Sequence, residues 1–375
     1  MGLLRLLLAL AVVADHAGPA FGWTALRMTG GPLAVQMFYV VSGFYMALVL
    51  NEKYLGSGAW WAFAKSRAVR LFPMYWAVLL LTLLVGFALL LGGWSFEPLA
   101  RWFGPDTTPD LPSAAALALV QVTLIGQDAA VFTAVEPGSG ALFATPRPFE
   151  HDGAAYRYML VPQAWTVGLE LMFYALAPLL VRRRGAVVTC LLASLALRVV
   201  LVERAALDFD PWTYRFFPTE LALFLAGALA YHGYRALRGR QLLPAAIAWP
   251  ALIGVLACVL GYRALPWPLR GAVYGLSPLV VLLPLALPFV FHLTARWRLD
   301  RAIGELSYPV YLVHMLFCFA MAALGWPMWT ATSGAVVPLA SLAAAWALWR
   351  FVGARVEVSR QQISARLQAQ QAAAR

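Results

Sequence analysis

Arg5 and His16 stand eleven residues apart in an otherwise apolar run near the start of the chain. In a helix that spacing is about three turns and roughly 16–17 Å of rise, so both side chains lie on one face. A guanidinium at one end and an imidazole far along the same face suggest one track. Histidine titrates near neutrality, which suits it to general-base work. It needs a partner to fix its tautomer. Asp15 is adjacent in sequence, but helix neighbours point away from each other. A carboxylate from another helix is therefore expected, and Glu170 is the candidate. Read structurally instead, Arg5 is a helix-end residue reaching for lipid headgroups, and His16 is a buried histidine with a satisfied hydrogen bond.

Further clusters share this character. Arg67 and Arg70 sit at i and i+3 on one helical face, just before Leu-Phe-Pro73. With Arg5 they could clamp phosphates through their planar forks; singly, each reads as an ordinary cytoplasmic anchor. The run from Pro162 to Glu170 places Trp165 and Glu170 near the outer start of an apolar block. Trp165 is either an interfacial belt residue or a substrate contact. The run Ser307-Tyr308-Pro309-Val-Tyr311-Leu-Val-His314 opens another block, with Tyr311 and His314 as supporting polar groups. Ser42-Gly43-Phe44 fits close helix packing around a small pair first, with Ser42 also a candidate substrate contact. Ionisable groups inside apolar spans are costly, which makes each of these a functional candidate.

The elements that must position them are membrane helices. The chain is 62% hydrophobic and 12% charged, whereas a soluble domain is nearer half apolar and a quarter charged. Eleven apolar blocks recur, at about 2–22, 31–51, 71–92, 113–133, 157–181, 185–203, 215–233, 243–262, 272–294, 305–325 and 333–352, most near the length needed to cross the hydrocarbon layer. The net charge of +11 reads as cytoplasmic loops and lipid headgroups; no nucleic-acid motif accompanies it. Cys190, Cys258 and Cys318 lie in apolar blocks and form neither a disulfide framework nor a zinc spacing, so no metal is expected.

Basic loops arbitrate the topology. Lys53, Lys65, Arg67 and Arg70 should face the cytoplasm, as should Arg182–Arg184, Arg235 to Arg240, Arg296 to Arg301 and the tail. Eleven spans put Arg182–Arg184 on the wrong side. Omitting block 113–133, with its Gln121, Gln127 and Asp128, repairs every later loop. The expectation is an all-α polytopic protein of ten spans with both termini cytoplasmic. Residues 1–353 form one membrane domain and 354–375 a cytoplasmic tail able to form a short surface helix. Region 93–156 then lies outside, carrying an interfacial or re-entrant helix. It is acidic, with Glu97, Asp106, Asp110, Asp128, Glu136, Glu150 and Asp152.

In order and placement these motifs resemble the bacterial membrane acyltransferase family 3. The resemblance rests on Arg5 with His16, Ser42-Gly43-Phe44, Arg67 with Arg70, Trp165 to Glu170, and Ser307 to His314, and covers residues 5 to about 350. It implies a ten-helix fold in a bacterial plasma (inner) membrane that moves acyl groups, often acetyl, from coenzyme A. It implies acceptors such as surface-glycan sugars, lipid-linked sugars or small molecules. Many members carry a C-terminal hydrolase-like domain. Here the sequence runs only a short way past the tenth expected span, so either the acceptor docks directly or a separate protein takes part.

The expected mechanism follows. Acyl-coenzyme A comes from the cytoplasm, its phosphates engaged by Arg67, Arg70 and Arg5, and its thioester reaches His16. The acceptor lies around Trp165, Glu170 and region 93–156. His16 either deprotonates the acceptor hydroxyl or carries the acyl group first, while Glu170 orients His16 or accepts a proton. The rival class is a proton-coupled exporter or flippase, which intramembrane His, Glu and Arg also suit; no paired inverted halves are evident. A second membrane acyltransferase family, built on a deep His and Asn, is disfavoured because Asn51 is the sole asparagine.

Overall fold

A computed structural model describes residues 1–23, 28–104 and 108–373, so Asp106 lies outside the described residues. The first three helices are α1 (Gly2–Ala17), α2 (Gly31–Glu52) and α3 (Ala59–Leu91). Region 93–156 holds α4 (Glu97–Ala100), α5 (Leu111–Thr123), α6 (Gln127–Ala130) and a small antiparallel hairpin of β1 (Thr133–Val135) and β2 (Leu142–Ala144), paired Ala134 to Phe143. Then come α7 (Trp165–Leu180), α8 (Arg184–Ala205), α9 (Phe217–Gly239), α10 (Ala245–Leu260), α11 (Trp267–Arg270) and α12 (Pro278–Thr294). The chain closes with α13 (Arg298–Glu305), α14 (Ser307–Ala323), α15 (Ala331–Leu348), a π-helical turn at Trp349–Gly353, and α16 (Ala354–Ala373).

Helices α1, α2, α3, α7, α8, α9, α10, α12, α14 and α15 occupy the apolar blocks expected to span. Among the described residues, five stretches are long and apolar enough to cross a membrane: Gly31–Glu52, Ala59–Leu91, Arg184–Ala205, Arg298–Ala323 and Ala331–Ala372. Block 113–133 instead becomes α5, whose 13 residues rise about 20 Å, short of a hydrocarbon layer of roughly 30 Å. Asp110 caps it by accepting from the Ser113 amide at 2.9 Å, and Leu124 ends it in the left-handed region. Large apolar side chains face outward from peripheral helices, among them Leu80, Leu84, Leu91 and Leu192. Such a surface suits lipid.

The apolar window of α2 is 72% buried, against 17% for α8, so α2 is central and α8 peripheral. Against α9 it packs almost backbone to backbone. A Cβ at Gly43 would stand 1.8 Å from the Phe224 carbonyl oxygen, and one at Gly227 would stand 1.9 Å from that of Val40. Only glycine permits this approach, which gives the Ser42-Gly43-Phe44 motif its packing role. Phe44 is fully buried beside Tyr231, Tyr234 and Phe291, locking α2 to α9 and α12.

α1 lies among α2, α13, α14 and α15. Its first turn is seated by α13. The Asp300 carboxylate accepts from the Gly2 amide at 2.7 Å and the Leu3 amide at 2.9 Å, satisfying helix-end donors that would otherwise be orphaned. α16, expected as a short surface helix, runs 20 residues and docks on α3. Leu367 is buried there, and Gln371 donates to the Leu55 carbonyl.

Candidate active site

A cavity of about 340 Å³ runs between α2, α3, α7 and α14. Its lining on α2 extends from Val35 to Val49, about 21 Å of helix. One end is cationic: Arg5, Arg67, Arg70, Arg301 and Arg360 line it, with Glu305 and Asp300. Arg5 donates to the Gly304 carbonyl and lies 3.8 Å from Glu305; Arg70 is 3.9 Å from the same carboxylate. These are loose pairs to a carboxylate that is itself partly exposed, worth little on their own. Arg67 is buried over the Phe63 and Tyr174 rings, at 5.7 and 6.0 Å. Among the described residues no carboxylate pairs with it, and the Nε atoms of Arg5, Arg67 and Arg360 are buried without a hydrogen-bond partner. Thus the three arginines named from sequence converge on one mouth, although Arg5 comes from α1 and the other two from α3.

Half-way along the cavity stands Glu170. The Ser42 hydroxyl donates to its Oε1 at 2.6 Å, and the Tyr174 hydroxyl donates to the same oxygen. Glu170, on α7, and Ser42, on α2, therefore meet, 128 residues apart in sequence. Tyr308 lines the opposite wall and donates to the Leu71 carbonyl at 3.1 Å.

Tyr311 closes the far end. Its hydroxyl bonds the Gln163 carbonyl at 2.8 Å and the Thr166 hydroxyl at 2.8 Å, tying α14 to the start of α7. One turn further along α14, His314 is fully buried. Its Nδ1 lies 2.6 Å from the Tyr311 carbonyl oxygen, and its Nε2 lies 3.3 Å from His16 Nδ1. His16 Nδ1 is also 3.0 Å from the Val12 carbonyl oxygen. Carbonyls only accept, so in the neutral rings both Nδ1 atoms carry the proton. His314 Nε2 is then an acceptor for His16, and the lone pair of His16 is left on Nε2. The His16 side chain is exposed, and its Nε2, opposite the nitrogen that faces His314, can accept a proton.

Glu170 was the expected partner of His16. The described contacts of His16 are Val12 and His314 instead, while Glu170 is engaged by Ser42 and Tyr174. A histidine three residues after Tyr311 was legible as intramembrane, but not as the neighbour of His16, because that contact joins residues 298 apart in sequence. Trp165 is buried rather than at a lipid surface. It packs edge-on to Tyr214, with the Arg215 guanidinium 4.5 Å from its ring centroid. Arg215 in turn pairs with Asp210 at 2.9 Å. Three contributors went unnoticed in the sequence. Arg215 opened the apolar block 215–233 without being singled out, and Arg360 lay in a tail read as a cytoplasmic surface helix. Glu305 was hidden two positions before the motif that begins at Ser307.

Known proteins give one correspondence. A family model described as an acyltransferase domain, of the acyltransferase 3 type, matches residues 1–350, so the match takes in every helix that lines the cavity except α16. No curated protein and no solved structure matches the chain.

Proposed function

The chain belongs to this acyltransferase family, and on that premise we propose that it carries an acyl group from a cytoplasmic acyl-coenzyme A to a hydroxyl of an acceptor outside the membrane. One observation carries the reading: a single cavity has unpaired arginine nitrogens at one end and, at the other, Tyr311, whose ring lies 5.9 Å from that of His314, the neighbour of His16; the two histidines stand just outside the lining. Arginine forks suit the donor's phosphates, and the apolar wall of α2 suits an extended pantetheine arm. Ser42 and Glu170 stand where that arm would pass, with the carboxylate placed to accept from its amide N–H groups.

At the far end His16 Nε2 takes the proton of the acceptor hydroxyl. The acceptor oxygen attacks the thioester carbonyl, the carbon–sulfur bond breaks, and His16 hands the proton it took to the departing thiolate. An ester and free coenzyme A result. The thioester reaches His16 past Tyr311, which lines the cavity with its ring 5.9 Å from that of His314, centroid to centroid.

Ten spans with both termini cytoplasmic fit this direction of transfer. The arginine mouth then shares a side with Lys53, Arg182–Arg184 and Arg296, the cytoplasmic side by the positive-inside rule, and region 93–156 lies outside near the acceptor. The membrane is the plasma membrane of a bacterium, the acyl group acetyl, and the acceptor a glycan sugar.

The test is His16→Ala, purified beside the parent, with acyl-coenzyme A binding and turnover measured in vesicles. Retained binding with turnover lost supports the reading. Surviving turnover moves the base to another group. A parent that neither binds nor cleaves coenzyme A thioesters overturns the reading in favour of a proton-coupled exporter.

A further inference from the structure

Arg360 stands beyond the stretch that the family match covers, residues 1–350, yet it lines the same cavity as Arg5, Arg67 and Arg70. It is carried by α16, which follows α15 through the π-helical turn Trp349–Gly353; single turns of this kind recur at functional sites. From the mouth α16 extends to the loop between α2 and α3. There Leu367 is buried and Gln371 donates to Leu55. The helix is thus pinned at its far end, while near its start Glu357 and Arg360 border the mouth.

The charges there do not balance. Five arginines line the cavity against Asp300, Glu170 and Glu305. Asp300 is engaged by the α1 amides, and Glu170 lies deeper with Ser42. Glu357 bonds Arg360 at 2.5 Å from one turn back, but the Arg360 side chain is only 14% exposed and its Nε is buried without a partner. Guanidinium groups gathered in a partly buried site repel one another, a cost that a bound polyanion would remove. A helix fulfilling only a packing role has no use for an arginine aimed into that cluster.

We propose that Arg360 is a further phosphate ligand of the donor, and that α16 is a strap over the inner mouth whose task is to hold it there. This rests on the acyl-coenzyme A reading of the cavity. The recognised chemistry is a phosphate oxyanion, supplied by coenzyme A rather than by an anionic lipid headgroup.

Full-length Arg360→Gln, Arg360→Lys and Arg67→Gln proteins are compared with the parent. Coenzyme A is titrated into each in phosphatidylcholine nanodiscs, and turnover is measured with acetyl-coenzyme A and with acetyl-pantetheine, which lacks the phosphates. Arg360→Gln is expected to weaken coenzyme A binding about 10–100-fold, as for a lost charge-assisted hydrogen bond, with Arg360→Lys between it and the parent. The fall in kcat/KM is expected to be at least about ten-fold larger for acetyl-coenzyme A than for acetyl-pantetheine, a difference that simple misfolding would not give. Gln371→Ala, which loosens the strap far from the cavity, should shift binding in the same direction by less. Unchanged affinity in Arg360→Gln with a loss in Arg67→Gln overturns the strap and leaves the donor reading standing. Equal losses with both thioesters assign Arg360 a structural role and also overturn it. Adding phosphatidylglycerol is a further arm: if the parent–variant difference appears only as competition by that lipid, the anion is a headgroup and the proposal fails. A parent that binds no coenzyme A sinks both readings.

Discussion

His314 Nε2 stands 3.3 Å from His16 Nδ1, with the two ring planes tilted by 42° and their centroids 5.1 Å apart. The buried ring is oriented by a backbone carbonyl of its own helix, and the exposed ring by a carbonyl of α1 and by its partner. Proton positions therefore run one way through the pair, towards a free lone pair on His16 Nε2. On the proposed reading, that order assigns His314 to positioning His16 and His16 to the reacting atoms.

Substitution of the two histidines should separate these roles. His16→Ala is expected to lower kcat about 10²–10⁴-fold, the usual worth of a general base, with donor binding retained. His314→Ala should cost less, about 10–100-fold, by analogy with outer-shell partners of metal-bound histidines. His314→Gln, whose amide oxygen can accept from His16 Nδ1, should recover part of that loss. The check is kcat with its pH profile for each variant; indistinguishable Ala and Gln variants would remove the positioning role.

The parts of this site that sequence makes legible are those set by spacing within one helix. Arg5 and His16 share a face because eleven residues make three turns, and Arg67 and Arg70 share one because three residues make nearly one. Block lengths and basic loops likewise located the helices, including the short α5. What sequence leaves open is which helix faces which. His16 and His314, Ser42 and Glu170, and Asp300 with the start of α1 meet only through packing of distant segments, and no local pattern encodes such pairs. Arg360 escaped for a different reason. The Gln/Ala/Arg composition of 354–375 reads as a solvated helix, and only the burial of Leu367 against α3 turns it towards the mouth.

Glu305 occupies the arginine mouth at 3.8 Å from Arg5 and 3.9 Å from Arg70. Its carboxylate is itself 40% exposed, so the pairs contribute little to stability, about 0–1 kcal/mol. The same negative charge opposes an incoming phosphate. Glu305→Gln should therefore bind coenzyme A a few-fold more tightly, with the gain largest at low ionic strength, where screening is weakest. Titration at two salt concentrations checks this. Weaker binding would mean that Glu305 holds the two guanidinium groups in place for the ligand.

The approach of α2 to α9 predicts a sharp intolerance. Gly43→Ala would drive a methyl into the Phe224 carbonyl, and Gly227→Ala into that of Val40. Neither obstacle is a side chain able to rotate away, so each should cost at least the usual 1–3 kcal/mol of overpacking (about 2 kcal/mol or more). Both variants should unfold at lower temperature in detergent, and the double variant should not be additive, since one helix shift relieves both clashes. Ser42→Ala, at the neighbouring position, should spare stability and instead alter donor kinetics, because its hydroxyl meets Glu170 inside the cavity. A stability loss in Ser42→Ala equal to that in Gly43→Ala would contradict this division of labour.

Asp300 links the start of α1 to the arginine mouth, which gives it a double signature. Its two carboxylate oxygens accept from the Gly2 and Leu3 amides, and Arg5 follows within the same turn and donates to Gly304 of the same short helix α13. Asp300→Ala leaves those amides without acceptors, a capping loss of about 1–2 kcal/mol, and frees the first turn of α1 to fray. Arg5 frays with it, so coenzyme A binding should weaken along with stability. Asp300→Asn keeps one acceptor oxygen and should restore part of both. Thermal unfolding and coenzyme A titration on the same preparations check the coupling: a variant that loses stability while holding donor affinity would show that Arg5 is positioned by Gly304 alone.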